Sequence, residues 1–118
     1  MKNLQNNFTT PEQSKRLLEL GVPADSSDFY YDKDEVEIDE ITHPYILPFN
    51  RKFSNYNDMF YLPCWSVGRL MEICKICEPK KYYEQLCEEL QYSKNYCVVI
   101  ISHIIANLPI IDFSKLED

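Results

Sequence analysis

Apolar residues recur at helical spacing in several stretches of this chain, separated by an aromatic and acidic region with weaker alternation. The clearest stripe is Val67, Leu70, Met71, Cys74 and Cys77, at i, i+3, i+4, i+7 and i+10, which predicts a helix over about 66–77. Pro63 holds its own φ and drives Leu62 into an extended conformation, so the chain should arrive there as strand or loop. Either Cys64 or Ser66 could open the helix; Ser66 is the better N-cap, because its hydroxyl can accept a free backbone N–H. Pro79 and the Lys80-Lys81 pair are expected to end it, with the cations at the negative pole of the dipole. Gly68 costs roughly 1 kcal/mol against Ala inside a helix. Close approach of a neighbouring backbone or of the Trp65 ring is the expected return.

A second helix, about 11–20, has an explicit beginning and end. Thr10 as N-cap, Pro11 at the first helical position and Gln13 two residues later form a capping box. Gly21 stands where a left-handed C-terminal residue belongs, and Pro23 prevents continuation. Leu17, Leu18 and Leu20 supply the buried side. Asp25-Ser26-Ser27-Asp28 then turns into the aromatic strand Phe29-Tyr30-Tyr31. Asp32 to Glu35 reads as a turn, and Val36 to Ile41 as an exposed edge strand whose acids discourage pairing with another chain. Residues 42–61 read as a long surface loop with short strands at Tyr45–Leu47 and Met59–Leu62, and His43 as an exposed loop residue.

Tyr83, Leu86, Cys87 and Leu90 at i, i+3, i+4 and i+7 make 82–91 a candidate extra helix, broken by Ser93-Lys94-Asn95. Asn95 can cap a last helix over about 96–108, apolar on nearly all sides and therefore expected to be deeply buried. The Val and Ile content of Cys97–Ile101 keeps a strand as the competing reading there. Together these elements predict one α+β domain: a small antiparallel sheet over about residues 29–62, packed against about three helices.

Charge narrows the classes of function. The chain of 118 residues carries a net charge of −7. Eight acids (Asp25, Asp28, Asp32, Asp34, Glu35, Glu37, Asp39, Glu40) against Lys33 place all of it between residues 25 and 40. Binding nucleic acid needs a net basic face, so this balance argues against it unless Arg51, Lys52, Arg69, Lys80 and Lys81 converge in space. Two glycines in the whole chain leave no phosphate-binding Gly-rich loop. The segment Met1–Asn7 is polar, unlike a signal peptide. The longest apolar run, about 15 residues from Cys97, falls short of the roughly 20 needed to cross a bilayer. Five cysteines without a secreted framework then point to reduced thiols in the cytoplasm.

The stretches TPEQSKRLLELG (10–21), PADSSDFYY (23–31) and LPCWSVGRL (62–70) resemble a group of small uncharacterised proteins encoded in phage-like and other mobile elements of gut bacteria. The resemblance covers about the first two-thirds of the chain. It implies a mobile-element origin and carries over no catalytic or binding residues. The chain departs from the group in its Tyr/Leu/Glu-rich segment 82–92, where relatives look more strand-like.

No reaction centre stands out. Cys74-Lys75-Ile76-Cys77 lies at the end of a helix, whereas a redox C-x-x-C needs its first thiol at the N-terminal, positive pole. Zinc would need two further ligands from Cys87, Cys97 and His103. Two cysteines on a buried helical face, and a hydrogen-bonded core histidine at position 103, are the plainer readings. Asp32 and Asp34 match the start of a calcium loop, but Val36, Glu37 and the absence of a Glu at the twelfth position break it. No catalytic residue, cofactor or metal is therefore assigned. The leading expectation is a cytoplasmic, non-enzymatic module for an unknown protein partner, with no membrane and compatible with a homo-oligomer. Its contact residues would be Asp32, Asp34, Glu35, Glu37, Asp39 and Glu40, or a partly exposed Trp65–Arg69 pair one turn apart; the plainer reading of Trp65 is an anchor of the core beside its helix. The alternatives are an acidic nucleic-acid mimic that inhibits a host enzyme, and a small enzyme or metal-binding protein.

Overall fold

A computed structural model of the chain describes residues 7–37, 44–46 and 60–116. Helix α1, Pro11–Glu19, begins with the full capping box: Gln13 N donates to Thr10 Oγ1 at 3.1 Å and Thr10 N donates to Gln13 Oε1 at 2.9 Å. It ends where Gly21 takes φ 99°, which lets the N–H groups of Gly21 and Val22 return to the carbonyls of Leu18 and Leu17. A short 3-10 turn, Ala24–Ser26, leads into β1, Phe29–Asp32.

β1 is the middle strand of an antiparallel sheet in the order β2-β1-β3, with β2 at Tyr45–Ile46 and β3 at Tyr61–Cys64. Tyr30 stands opposite both Tyr45 and Pro63, and Asp32 opposite Tyr61. The alternation of side chains puts Tyr31, Leu62 and Cys64 on the inner face, where Phe8, Leu18 and Val36 pack on them. Pro63 is tolerated because β3 is an edge of the sheet.

The reading of 32–41 needs correction. The strand runs through Asp32, and Lys33–Glu37 forms a five-residue helix, α2, in place of a turn and the beginning of an edge strand. Asp32 Oδ1 accepts the Asp34 N–H at 2.9 Å, an Asx-type start that frees the backbone to coil. Val36 then reaches the inner-face cluster, a gain that weak alternation does not offset. The rest of that expected strand lies outside the described residues, as do His43, Leu47 and Met59.

Three helices complete the fold: α3 (Val67–Cys77), α4 (Lys80–Leu90) and α5 (Tyr96–Asn107). Ser66 caps α3, its hydroxyl accepting Arg69 N at 3.1 Å. Lys80 and Lys81 do not close α3; they open α4, with extended Pro79 as its N-cap. The helix stops at Cys77, as its stripe predicts: Glu78, before Pro79, is extended, and its side chain turns into the interior. Both lysines are exposed, so their place at the positive pole costs little, and Lys81 Nζ lies 5.1 Å from the Tyr82 ring centre.

Asn95 caps α5 through the Val98 N–H, and 97–101 is helix rather than strand. Its stripe Cys97, Ile100, Ile101 and Ile104 is buried, and Ile100, Ile101 and Ile104 join Leu17, Trp65, Leu70, Ile73 and Leu86 in the main core. The helix is one-sided, though: Val98 and Ile105 are 46% and 44% exposed, against the expectation of burial all round. After it, Asp112 N donates to the Cys77 carbonyl at 2.9 Å and the 3-10 turn Phe113–Leu116 lies against α3. Gly68 also departs from expectation. A Cβ there would meet only Ser66 Oγ, at 4.0 Å, so neither a backbone nor the Trp65 ring requires glycine.

Candidate functional site

Trp65 is wholly buried in the main core, as its reading as an anchor beside the helix expects, so the alternative, a partly exposed binding pair with Arg69, is not formed. Its indole Nε1–H donates to Ser26 Oγ at 3.0 Å, and Ser26 Oγ donates onward to the Pro23 carbonyl at 2.6 Å. One turn later Arg69 Nε donates to the Ser26 carbonyl at 2.7 Å while Nη1 pairs with Glu72. The Asp28 carboxylate accepts both the Ser66 N–H and the Ser66 hydroxyl, at 2.9 and 2.5 Å. A carboxylate thus stands at the positive end of α3, where the dipole favours it. The 23–28 turn and the start of α3 form one hydrogen-bonded joint between the sheet and the helices. Thr9 extends it: its N–H donates to the Trp65 carbonyl, and its Oγ1 accepts the Trp65 N–H and lies 2.7 Å from Ser14 Oγ. Its carbonyl accepts the Tyr31 hydroxyl at 2.6 Å.

The thiols lie in places that suppress their chemistry. Burial pushes Cys64 up to about 12, even though hydrogen bonds with Thr9 and Tyr31 act in the other direction. Cys74 and Cys77 are both 1% exposed; burial pushes Cys77 up to about 11, and raises Cys74 with a further contribution from nearby Glu78. Burial also holds Cys97 at about 11. All four are free thiols. Among the described residues, no group of three or more His, Cys, Asp or Glu side chains could hold a metal ion.

His103 has a partner that sequence reasoning missed. Its Nε2 lies 2.8 and 3.0 Å from the two carboxylate oxygens of Glu78, and the two side chains are 2% and 0% exposed. Asn107 Nδ2 donates to the His103 carbonyl at 2.9 Å and lies 3.3 Å from Nδ1. The first bond orients the amide, so Nδ1 accepts and Nε2 carries the proton directed at Glu78. The sequence held a signal: Glu78 continues the stripe Met71, Cys74, and His103 sits within the stripe of α5. Two polar residues on two apolar stripes had only each other to satisfy. The pair is sealed from solvent, which suits bridging α5 to the α3–α4 corner and not turning over a substrate.

The acids of 25–40 divide. Asp28 points into the joint, Asp32 caps α2, and Asp34 is exposed. Both oxygens of Glu35 accept from the Tyr45 hydroxyl, at 3.1 and 2.9 Å, and this bond raises the Tyr45 phenol above its usual value. Glu37 ends α2, while Asp39 and Glu40 lie outside the described residues. On the outer face of the sheet Tyr30 packs on Tyr45 with ring centres 5.5 Å apart and on Tyr61 at 5.0 Å. Phe60, 49% exposed, extends the row beyond Tyr61. The structure therefore brings Glu35 to an aromatic surface and keeps Trp65 and Arg69 away from it.

Among the described residues no helix is long and apolar enough to cross a membrane. No protein-family model, curated protein or solved structure matches the chain.

Proposed function

We propose that the protein is a non-enzymatic interaction module that meets a protein partner through the acidic 25–40 segment and the outer face of the sheet. The observation that carries this reading is the row Tyr45, Tyr30, Tyr61 bordered by Glu35, with Asp34 exposed on the adjoining helix. Tyrosine is enriched where proteins meet, and charge at the edge of such a patch sets partner choice and encounter rate. The cytoplasmic, mobile-element setting belongs to the same proposal and rests on the resemblance of the 10–21, 23–31 and 62–70 stretches.

Two observations count against the alternatives. A nucleic-acid mimic needs its acids aligned outward, whereas Asp28 faces the joint and Asp32 its own helix start. An enzyme built on His103 would need its histidine–carboxylate pair open to substrate, and among the described residues His103 with Glu78 is enclosed. The test is capture of partners from bacterial lysate on the tagged chain and on the double variant Asp34→Asn, Glu35→Gln. The reading expects a partner held by the parent, lost by the variant, and released as salt rises. A partner kept equally by both would overturn the role of this surface.

A further inference from the structure

We infer that the outer side of α5 is a self-association face, and that a second copy of this chain covers it, antiparallel across a twofold axis. This surface is separate from the acidic one proposed above. Between Lys94 and Asp112 there is no Asp, Glu, Lys or Arg, in a chain of which 26% is charged. The solvent side of a helix ordinarily carries such residues. α5 packs on α1, α3 and α4, with Cys97, Ile100, Ile101 and Ile104 buried. Val98, Ser102, Ile105 and Ala106 are all exposed on its other side. Val98, Ser102 and Ile105 stand at i, i+4 and i+7, the seam spacing of a helix that pairs with another helix.

Charge selects the occupant. The stripe is uncharged, and Glu12 and Arg16 of α1, which border it, cancel one another. Two chains of net charge −7 repel on approach and can dock only through a surface without net charge. A charged partner would leave its ionic groups desolvated and unpaired on this stripe, whereas a second stripe brings none. The pattern is also its own complement. Laid antiparallel about the midpoint of Val98 and Ile105, each Val98 meets the other copy's Ile105. The small Ser102 side chains fall at the crossing, where they let the helices approach closely. Each Ile105 then faces the groove of about 230 Å³ that Gln13, Arg16, Val98 and Ser102 line on the other copy. A 12-residue helix is about 18 Å long and the α1–α5 pair about 20 Å wide, so each copy covers roughly 400 Å². That is about half of a standard interface, so the dimer is weak and reversible. It is also closed, because a twofold face used on both copies leaves none for a third.

The test is sedimentation velocity of the full chain from about 0.02 to 1 mM, the range in which a weak complex forms. Sedimentation should rise with concentration to that of a dimer and stop there. Added salt should keep or tighten the dimer, since it screens only the repulsion between two like-charged chains. A partner of the acidic segment is instead released by salt, so the two contacts are told apart. Val98→Lys and Ile105→Glu should each weaken association at least about tenfold, because each lays an unpaired charge in the apolar seam. The double variant Val98→Lys, Ile105→Glu should regain it, each new cation then lying opposite the other copy's new anion. Both positions face solvent, and Trp65 emission checks that every variant is folded. The variant Asp34→Asn, Glu35→Gln should dimerise at least as well as the parent. A chain that stays monomeric to about 1 mM, an association that Ile105→Glu leaves unchanged, or a double variant no better than the single ones would overturn the inference. So would a monomer that captures a lysate protein lost on Ile105→Glu, which would give the face to a different partner.

Discussion

Replacing His103 by Leu should cost the fold about 3–5 kcal/mol, the usual penalty for removing one member of a buried pair. Glu78 is left with two carboxylate oxygens at 0% side-chain exposure and without the Nε2–H that serves both. Solvent does not reach the site to relieve it, so no discount for screening applies. A chain of this length has about 6–18 kcal/mol of stability in total. The loss should therefore be large, lowering the melting midpoint by more than about 10 °C. Glu78→Gln should cost less, about 1 kcal/mol, since an amide oxygen can still accept from Nε2. The double variant Glu78→Leu, His103→Leu should be destabilised by less than the sum of its two single variants, because neither polar group is then stranded. Urea unfolding read by Trp65, the single tryptophan and wholly buried, measures all of these. A loss under about 1 kcal/mol for His103→Leu, or additive single variants, would refute the bridging role.

Three further outcomes follow from local geometry. Gly68→Ala should stabilise the chain by about 0.5 kcal/mol, because the site is exposed and open, whereas Gly21→Ala should cost about 1 kcal/mol through its positive φ alone; urea midpoints separate the two. Ser26→Ala strands the buried indole N–H and should cost about 1–3 kcal/mol, with a shift in Trp65 emission as the direct sign. The Cys64 thiol is raised on folding from 9.0 to about 12, so its contribution is fully present below pH 9 and is lost as pH climbs towards 12. Over that window stability should fall by about 1.4 kcal/mol per pH unit for this thiol. Cys64→Ala should flatten the slope.

Three of the helix starts were legible because a cap is an interaction over two or three residues. Thr10 with Gln13, Ser66 with Arg69, and Asn95 with Val98 each satisfy an N–H within their own turn. The α+β class was legible for a related reason, since periods near 3.6 and near 2 are written into neighbouring residues. The candidate surface was only half visible. Its acids could be counted, but that Asp28 turns inward while Glu35 meets Tyr45 depends on elements that the charge pattern does not contain.

What the sequence determined by itself, then, was the local grammar: caps, the Gly21 stop and the apolar stripes. Tertiary structure decided the partners. Glu78 meets His103 across 25 positions, Ser66 meets Asp28 across 38, and Trp65 meets Thr9 across 56. It also turned Glu78, held extended by Pro79, inward to His103, and set Lys80 and Lys81 at the start of α4 instead of the end of α3. A buried polar group must find a partner somewhere, and propensity is silent on which one the packed chain will bring within 3 Å.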